Sequence, residues 1–139
     1  MEAFIRNLKH EGRVYRHLHE VQGEVIPVYL GNISLSNPYF LNFRVRVGHM
    51  LLMSWAGEQA QEDMMSRMGR NIDSETTLAV TKLWCHGVEH LDIRPPNVLW
   101  NPEGRNVVLV DFERSEISRG LSVPAGDHAE SEAKVSTFK

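Results

Sequence analysis

His90-Leu91-Asp92-Ile93-Arg94-Pro95-Pro96-Asn97, together with the apolar run behind it that ends in Asp111-Phe112-Glu113, decides how the rest of the chain is read. Pro95 and Pro96 each fix their own φ, and Pro96 also pushes Pro95 toward extended geometry, so Asp92 and Asn97 flank a stiffened loop. Val98-Leu99-Trp100 and Val107-Val108-Leu109-Val110 read as two buried strands, and Asn101-Pro102-Glu103-Gly104 between them is a turn by composition. Such a hairpin returns Asp111 to the mouth of the loop that bears Asp92 and Asn97. Three acid or amide oxygens converging at a strand end suit Mg²⁺, a hard ion that prefers oxygen ligands and keeps water and substrate phosphate in its shell. The plainer alternative is a surface loop whose Asp and Asn only cap turns.

Composition sets the outer limits. The chain has 139 residues, 42% of them hydrophobic and 24% charged, which is one soluble globular domain in length and apolar content. A single cysteine, Cys85, excludes an internal disulfide. The start Met1-Glu2-Ala3-Phe4 lacks a signal peptide's basic and apolar segments, and no apolar run approaches membrane-spanning length. A cytoplasmic or nuclear setting with no membrane partner is therefore expected. The formal charge of -3 and a pI near 6.1 give no general attraction to nucleic acid.

Upstream, Phe4, Leu8, Glu11, Tyr15, Leu18 and Gln22 recur at helical spacing and predict a helix over residues 4–22. Glu11 sits inside that apolar stripe, where a carboxylate is costly unless paired, so a specific partner is expected; a boundary Glu reaching solvent is the alternative. After Gln22-Gly23-Glu24-Val25-Ile26-Pro27, the alternation of Leu41, Phe43, Val45 and Val47 with Asn42, Arg44 and Arg46 predicts a half-buried strand. Gly48-His49 is read as a turn into a second strand over residues 50–55, broken by Ala56-Gly57. Glu58 to Met68 predicts a short Met-rich helix, and Asp73-Ser74 caps a longer one that runs through Ala79, Val80 and Leu83 toward Gly87.

His86-Gly87-Val88-Glu89-His90 also matches the inverted zinc-protease pattern, in which two His bind zinc and the Glu serves as base. That chemistry needs one continuous helix and a further ligand, and Gly87 weakens the helix. His17 and His19 would lie on different helix faces.

The order of these features resembles the small kinase-like proteins common in fungi, within the protein-kinase-like superfamily, over about residues 4–116. The motifs that carry the resemblance are HLDIRPPN and VDFE, which keep the spacing of H-x-D-x-x-x-x-N and D-F-G. It implies an α+β fold, a partial protein-kinase-like domain over 1–121. Residues 1–55 would be an N-lobe remnant of the family's C helix and its fourth and fifth strands. Residues 56–121 would supply a hinge and part of the C-lobe, with the D and E helices, catalytic loop and seventh and eighth strands. Residues 122–139 would be a flexible tail, being small, polar and charged.

For the site, the resemblance implies Asp92 as catalytic base, Asn97 and Asp111 as Mg²⁺ ligands, and Arg94 as a γ-phosphate contact. Glu11 would be the acid of the C helix that pairs with a strand Lys, Met53 would lie beside the adenine, and the backbone from Ser54 to Ala56 would meet the base. The implied activity is an ATP-dependent phosphotransferase of the Ser/Thr type, with ATP and Mg²⁺ as cofactors and a protein or small hydroxylated substrate. Alternatives are a noncatalytic kinase-like binding module and a small-molecule kinase of the choline or aminoglycoside type. Leu91, Arg94 and Glu113 depart from the family's usual Arg, Lys and Gly. A glycine-rich loop and a strand Lys are missing before the first helix, so an upstream coding segment supplying both is expected.

Overall fold

The computed structural model describes residues 2–118, so the expected tail over 122–139 lies outside the described residues. Among the described residues the architecture is mixed α+β, with three α-helices and small antiparallel sheets. Helix α1 spans Glu2–His17 and gives way to a 3-10 turn at His19–Val21. The predicted helix thus stops short of Gln22, which instead joins two elements. Its side chain donates to the Tyr15 carbonyl at 2.7 Å and accepts from the Tyr29 amide at 3.1 Å. Of the predicted stripe, Tyr15 and Leu18 are buried, while Phe4 is 55% exposed.

Strands β1 (Tyr29–Leu41) and β2 (Val45–Met53) form a two-stranded ribbon. The chain reverses at Asn42-Phe43, not at the expected Gly48-His49. Both residues take positive φ, 52° and 61°, and the Arg44 amide donates to the Leu41 carbonyl at 3.2 Å. The alternation over residues 41–47 therefore straddles a turn, and Phe43 is solvent-exposed rather than half-buried. His49 lies within β2, paired with Ser34.

Beyond the ribbon, β3 (Glu58–Gln59) pairs with β5 (Val98–Asn101), which pairs with β6 (Asn106–Leu109). The β5–β6 hairpin is the predicted one. Asn101 builds its turn by accepting from the Glu103 and Gly104 amides at 3.0 and 3.4 Å. The short strand β3 exists because Gly57, at φ 119°, lets two backbones meet; a Cβ there would strike the Trp100 carbonyl. The Met-rich helix is correspondingly shorter than expected, α2 at Glu62–Arg67. Helix α3 runs Ile72–Cys85 and is capped by Asn71, whose side chain accepts from the Ser74 amide at 2.9 Å, so the cap falls two residues before Asp73. A last pair, β4 (Val88–Glu89) with β7 (Glu116–Ile117), closes the described chain.

One core joins α1, α3 and the hairpin: Val14, Tyr15, Leu18, Leu83, Leu109 and Phe112 are all fully buried. Among the described residues no helix is long and apolar enough to cross a membrane.

Candidate metal centre

Two local devices build the site. Pro95–Asn97 form a 3-10 turn that presents Asn97, and β6 delivers the chain to Asp111. They are locked together by backbone, since the Val110 amide donates to the Asn97 carbonyl at 3.1 Å. The buried His90 clamps the same junction. One ring nitrogen lies 2.8 Å from the Val110 carbonyl, so Nε2 must be the N–H donor, and Nδ1 accepts from the Asp92 amide at 3.2 Å. That arrangement fixes a neutral imidazole. Burial pulls the His90 pKa below its ordinary value, against the Val110 hydrogen bond and the nearby Asp111 and Asp92, which push it up.

Leu91 and Asp111 both hold positive φ, 65° and 64°, a conformation that costs energy in residues with a Cβ and that collects at functional sites. The loop beside Asp92 and the strand end at Asp111 itself are thus held in unfavourable geometry.

Within it, Asp92 is tied on both oxygens. Oδ1 is 3.1 Å from Arg94 Nε, and Oδ2 accepts from Asn97 Nδ2 at 3.3 Å; that amide also donates to the Asp92 carbonyl at 3.0 Å. The Asn97 amide nitrogen is thereby used inward, which leaves its Oδ1 as the atom available to a cation. Asp111 Oδ1 accepts only a long bond from the Glu113 amide, 3.4 Å. Arg94, expected against phosphate, is here paired with Asp92.

Helix α1 lies over the segment after Asp111. Asn7, His10 and Glu11, on one helix face, bond respectively to Glu113 (2.6 Å), the Ser115 carbonyl (2.7 Å) and the Phe112 amide (3.2 Å). Glu11 therefore does have a specific partner, but it is a backbone N–H and not a cation. Burial pushes its carboxyl above the ordinary range; the Phe112 bond opposes this, and Asp111 and Glu113 push it further up. The phenol of Tyr15, beneath Glu11, is also pushed up, by burial first and then by Glu11 and Asp111.

Glu11→Gln should accordingly melt higher than the native chain at pH 7, because Gln keeps the acceptor for Phe112 and removes a disfavoured charge. A carboxyl whose folded pKa is raised loses stability as pH rises above its unfolded value of 4.5, so the margin should narrow toward that pH. Thermal melts of both proteins across pH 4.5–7.5 check this; a margin that widens in acid contradicts it.

The other expected contacts stand apart. Met53 Sδ is 4.0 Å from the Tyr15 hydroxyl. Ser54 is clasped to Val28, its amide donating to the Val28 carbonyl and its Oγ accepting from the Val28 amide, each at 2.9 Å. Ala56 is buried. The Ser54 amide is thus already used within the chain. A cavity of about 400 Å³ lies elsewhere, against Glu24, Leu78, Lys82, Asn106 and Val107.

The zinc-protease pattern is taken apart by the fold. α3 ends at Cys85, Gly87 turns at φ 78°, Glu89 is in β4 and His90 faces Val110. Among the described residues no three His, Cys, Asp or Glu side chains converge for a metal; the candidate set has two carboxylates and one amide.

No model of a known protein family matches the chain. It is 37% identical over 148 residues to a protein of the fungus Podospora anserina named meiotic driver SPOK2, an alignment that takes in 99% of this chain. The chain spans 18% of that relative's length. These findings overturn the resemblance to the protein-kinase-like superfamily. The similar protein carries the name of a meiotic driver and not of a kinase, and no family match supports the kinase-like superfamily. The ATP-dependent phosphotransferase, the noncatalytic kinase-like module and the small-molecule kinase are withdrawn with it, as is the assignment of the chain as an enzyme.

Proposed function

We propose that this chain is a ligand-binding segment of a meiotic-driver-type protein, in which Asp92, Asn97 and Asp111 hold Mg²⁺ together with a phosphate-bearing ligand. The observation that carries the reading is the His90 clamp. It fixes the loop of Asp92 and Asn97 to the strand end of Asp111, while Asn97 Nδ2 is turned to Asp92 and its oxygen is left over. The donor set is all oxygen, which suits Mg²⁺ and leaves most of its shell to water and phosphate. Arg94 is the phosphate contact in this reading, once its guanidinium exchanges Asp92 for the ligand; a planar fork matches phosphate oxygens two at a time. Likeness to the Podospora protein supports the biological setting, and the metal site rests on the geometry alone.

Asp111→Asn tests it. Asn tolerates the left-handed backbone at this position and keeps an acceptor for the Glu113 amide, so the fold should survive. Calorimetric titration with Mg²⁺ alone, and with Mg²⁺ and ATP as a phosphate-bearing probe, should show affinity lower by at least ~10-fold in the variant, since one full charge next to the ion is lost. Equal Mg²⁺ affinity in the two proteins removes the assignment.

A further inference from the structure

The tip of the β1–β2 ribbon stores an unfavourable backbone and exposes apolar side chains, with nothing in the described chain to reward either. Phe43 is 99% exposed and sits at φ 61° beside Asn42 at φ 52°. Primed turns of this kind favour Asn-Gly, because any Cβ at positive φ is strained. An aromatic ring at the Gly position is costly locally and, in water, gains no burial. Phe40, Leu41 and Val45 around it are also exposed. The charges at the tip are of one sign: Arg44 and Arg46 are exposed, and from Val25 to Gly57 the sequence contains neither Asp nor Glu.

We infer that this tip is a membrane-docking finger for an anionic lipid surface, inserting Phe43 and Leu41 at the headgroup boundary while Arg44 and Arg46 meet lipid phosphate. Charge complementarity selects an anionic partner. The shape selects a fluid one, because the exposed apolar residues form the convex end of a hairpin and a bilayer needs no matching groove. Aromatic rings with adjacent arginines suit the interface, where one end of the group is apolar and the other hydrated. The finger is independent of the Asp92 cluster and departs from the membrane-free setting that hydropathy alone implies, because hydropathy detects only spanning runs.

Cosedimentation with vesicles of phosphatidylcholine alone and with a quarter phosphatidylserine tests it, using the whole chain. The native protein should bind the anionic vesicles preferentially, and added salt should release it. Phe43→Gly should weaken binding ~10-fold through the lost apolar insertion. It suits the turn better than Phe, so its melting temperature should be no lower than that of the native chain, which separates lost docking from lost fold. Arg44→Glu and Arg46→Glu should each weaken binding at least ~5-fold. Absence of binding to anionic vesicles, or full binding by Phe43→Gly, overturns the inference. So does a dimer in sedimentation equilibrium that Phe43→Gly dissolves, because the tip would then be a contact between two copies.

Discussion

Phe112→Ala is expected to destabilise the chain by about 3–5 kcal/mol, the usual range for removing a buried aromatic, and so to unfold a large fraction of a domain this small. Phe112 is fully buried and packs edge-on to Tyr15 with ring centroids 5.2 Å apart, and against His90 at 4.8 Å. Tyr15 in turn stacks on Tyr29 at 5.5 Å. Tyr15 extends the stack to the ribbon, and the Phe112 ring itself joins α1 to the His90 clamp. Its removal leaves a cavity at the place where three elements meet, and no single element can move to fill it without losing its other contacts. Phe112→Leu, which restores most of the volume, should recover over half of the loss. Urea denaturation of the three proteins measures both numbers, and a loss under about 1 kcal/mol for the alanine variant would show that the site relaxes freely.

Much of this arrangement was legible in the sequence, for reasons that are local. The loop over 90–97 and the β5–β6 hairpin are specified by proline geometry, by two continuous apolar runs and by an Asn101 that builds its own turn. The helix at 72–85 was legible for the same reason, with an error of two residues at its start because two side chains, Asn71 and Asp73, could each cap it. What the sequence hid depends on contacts across the fold. Glu11 was rightly read as needing a partner, but a backbone N–H has no letter in a sequence, so a cation was expected in its place. Strand β3 is two residues long and rests on the close approach of Gly57 to Trp100, which no periodicity reveals. The ribbon was misplaced because its turn carries Phe43 where a glycine would have announced it. Asn7 and His10 were overlooked although their spacing from Glu11 places all three on one helix face.

The function was misread for a different reason. HLDIRPPN and VDFE describe a loop and a strand end, which the structure joins through His90 and Val110. What a complete protein does with such a site is not contained in the motif, and the similarity to a meiotic driver, over a small part of its length, points elsewhere.

His90 should be as sensitive as Phe112, and in a pH-dependent way. His90→Ala leaves the Val110 carbonyl and the Asp92 amide without their partner in a buried setting, so a loss of about 4 kcal/mol is expected from two unmade bonds and a cavity. Gln at this position can place its amide nitrogen where Nε2 lies, and Asn can place its oxygen where Nδ1 lies. His90→Gln should thus keep the Val110 bond and His90→Asn the Asp92 bond, each costing less than alanine. Mg²⁺ affinity should follow the Asp92 bond more closely than total stability, because that bond sets the direction of the loop toward Asp111. The native imidazole must also stay neutral, since a proton on Nδ1 would set N–H against the Asp92 N–H. With the folded pKa lowered below the unfolded value of 6.5, the unfolded chain takes up more protons as pH falls through that region, and stability falls with it. Native stability minus that of His90→Gln, measured in urea from pH 7.5 to 5, isolates this group from Glu11 and the other carboxyls. The difference should shrink toward acid; a difference independent of pH would mean that folding leaves the His90 pKa unshifted, and one that grew toward acid would mean that the fold favours the charged ring, and either result would refute the clamp drawn from its two hydrogen bonds.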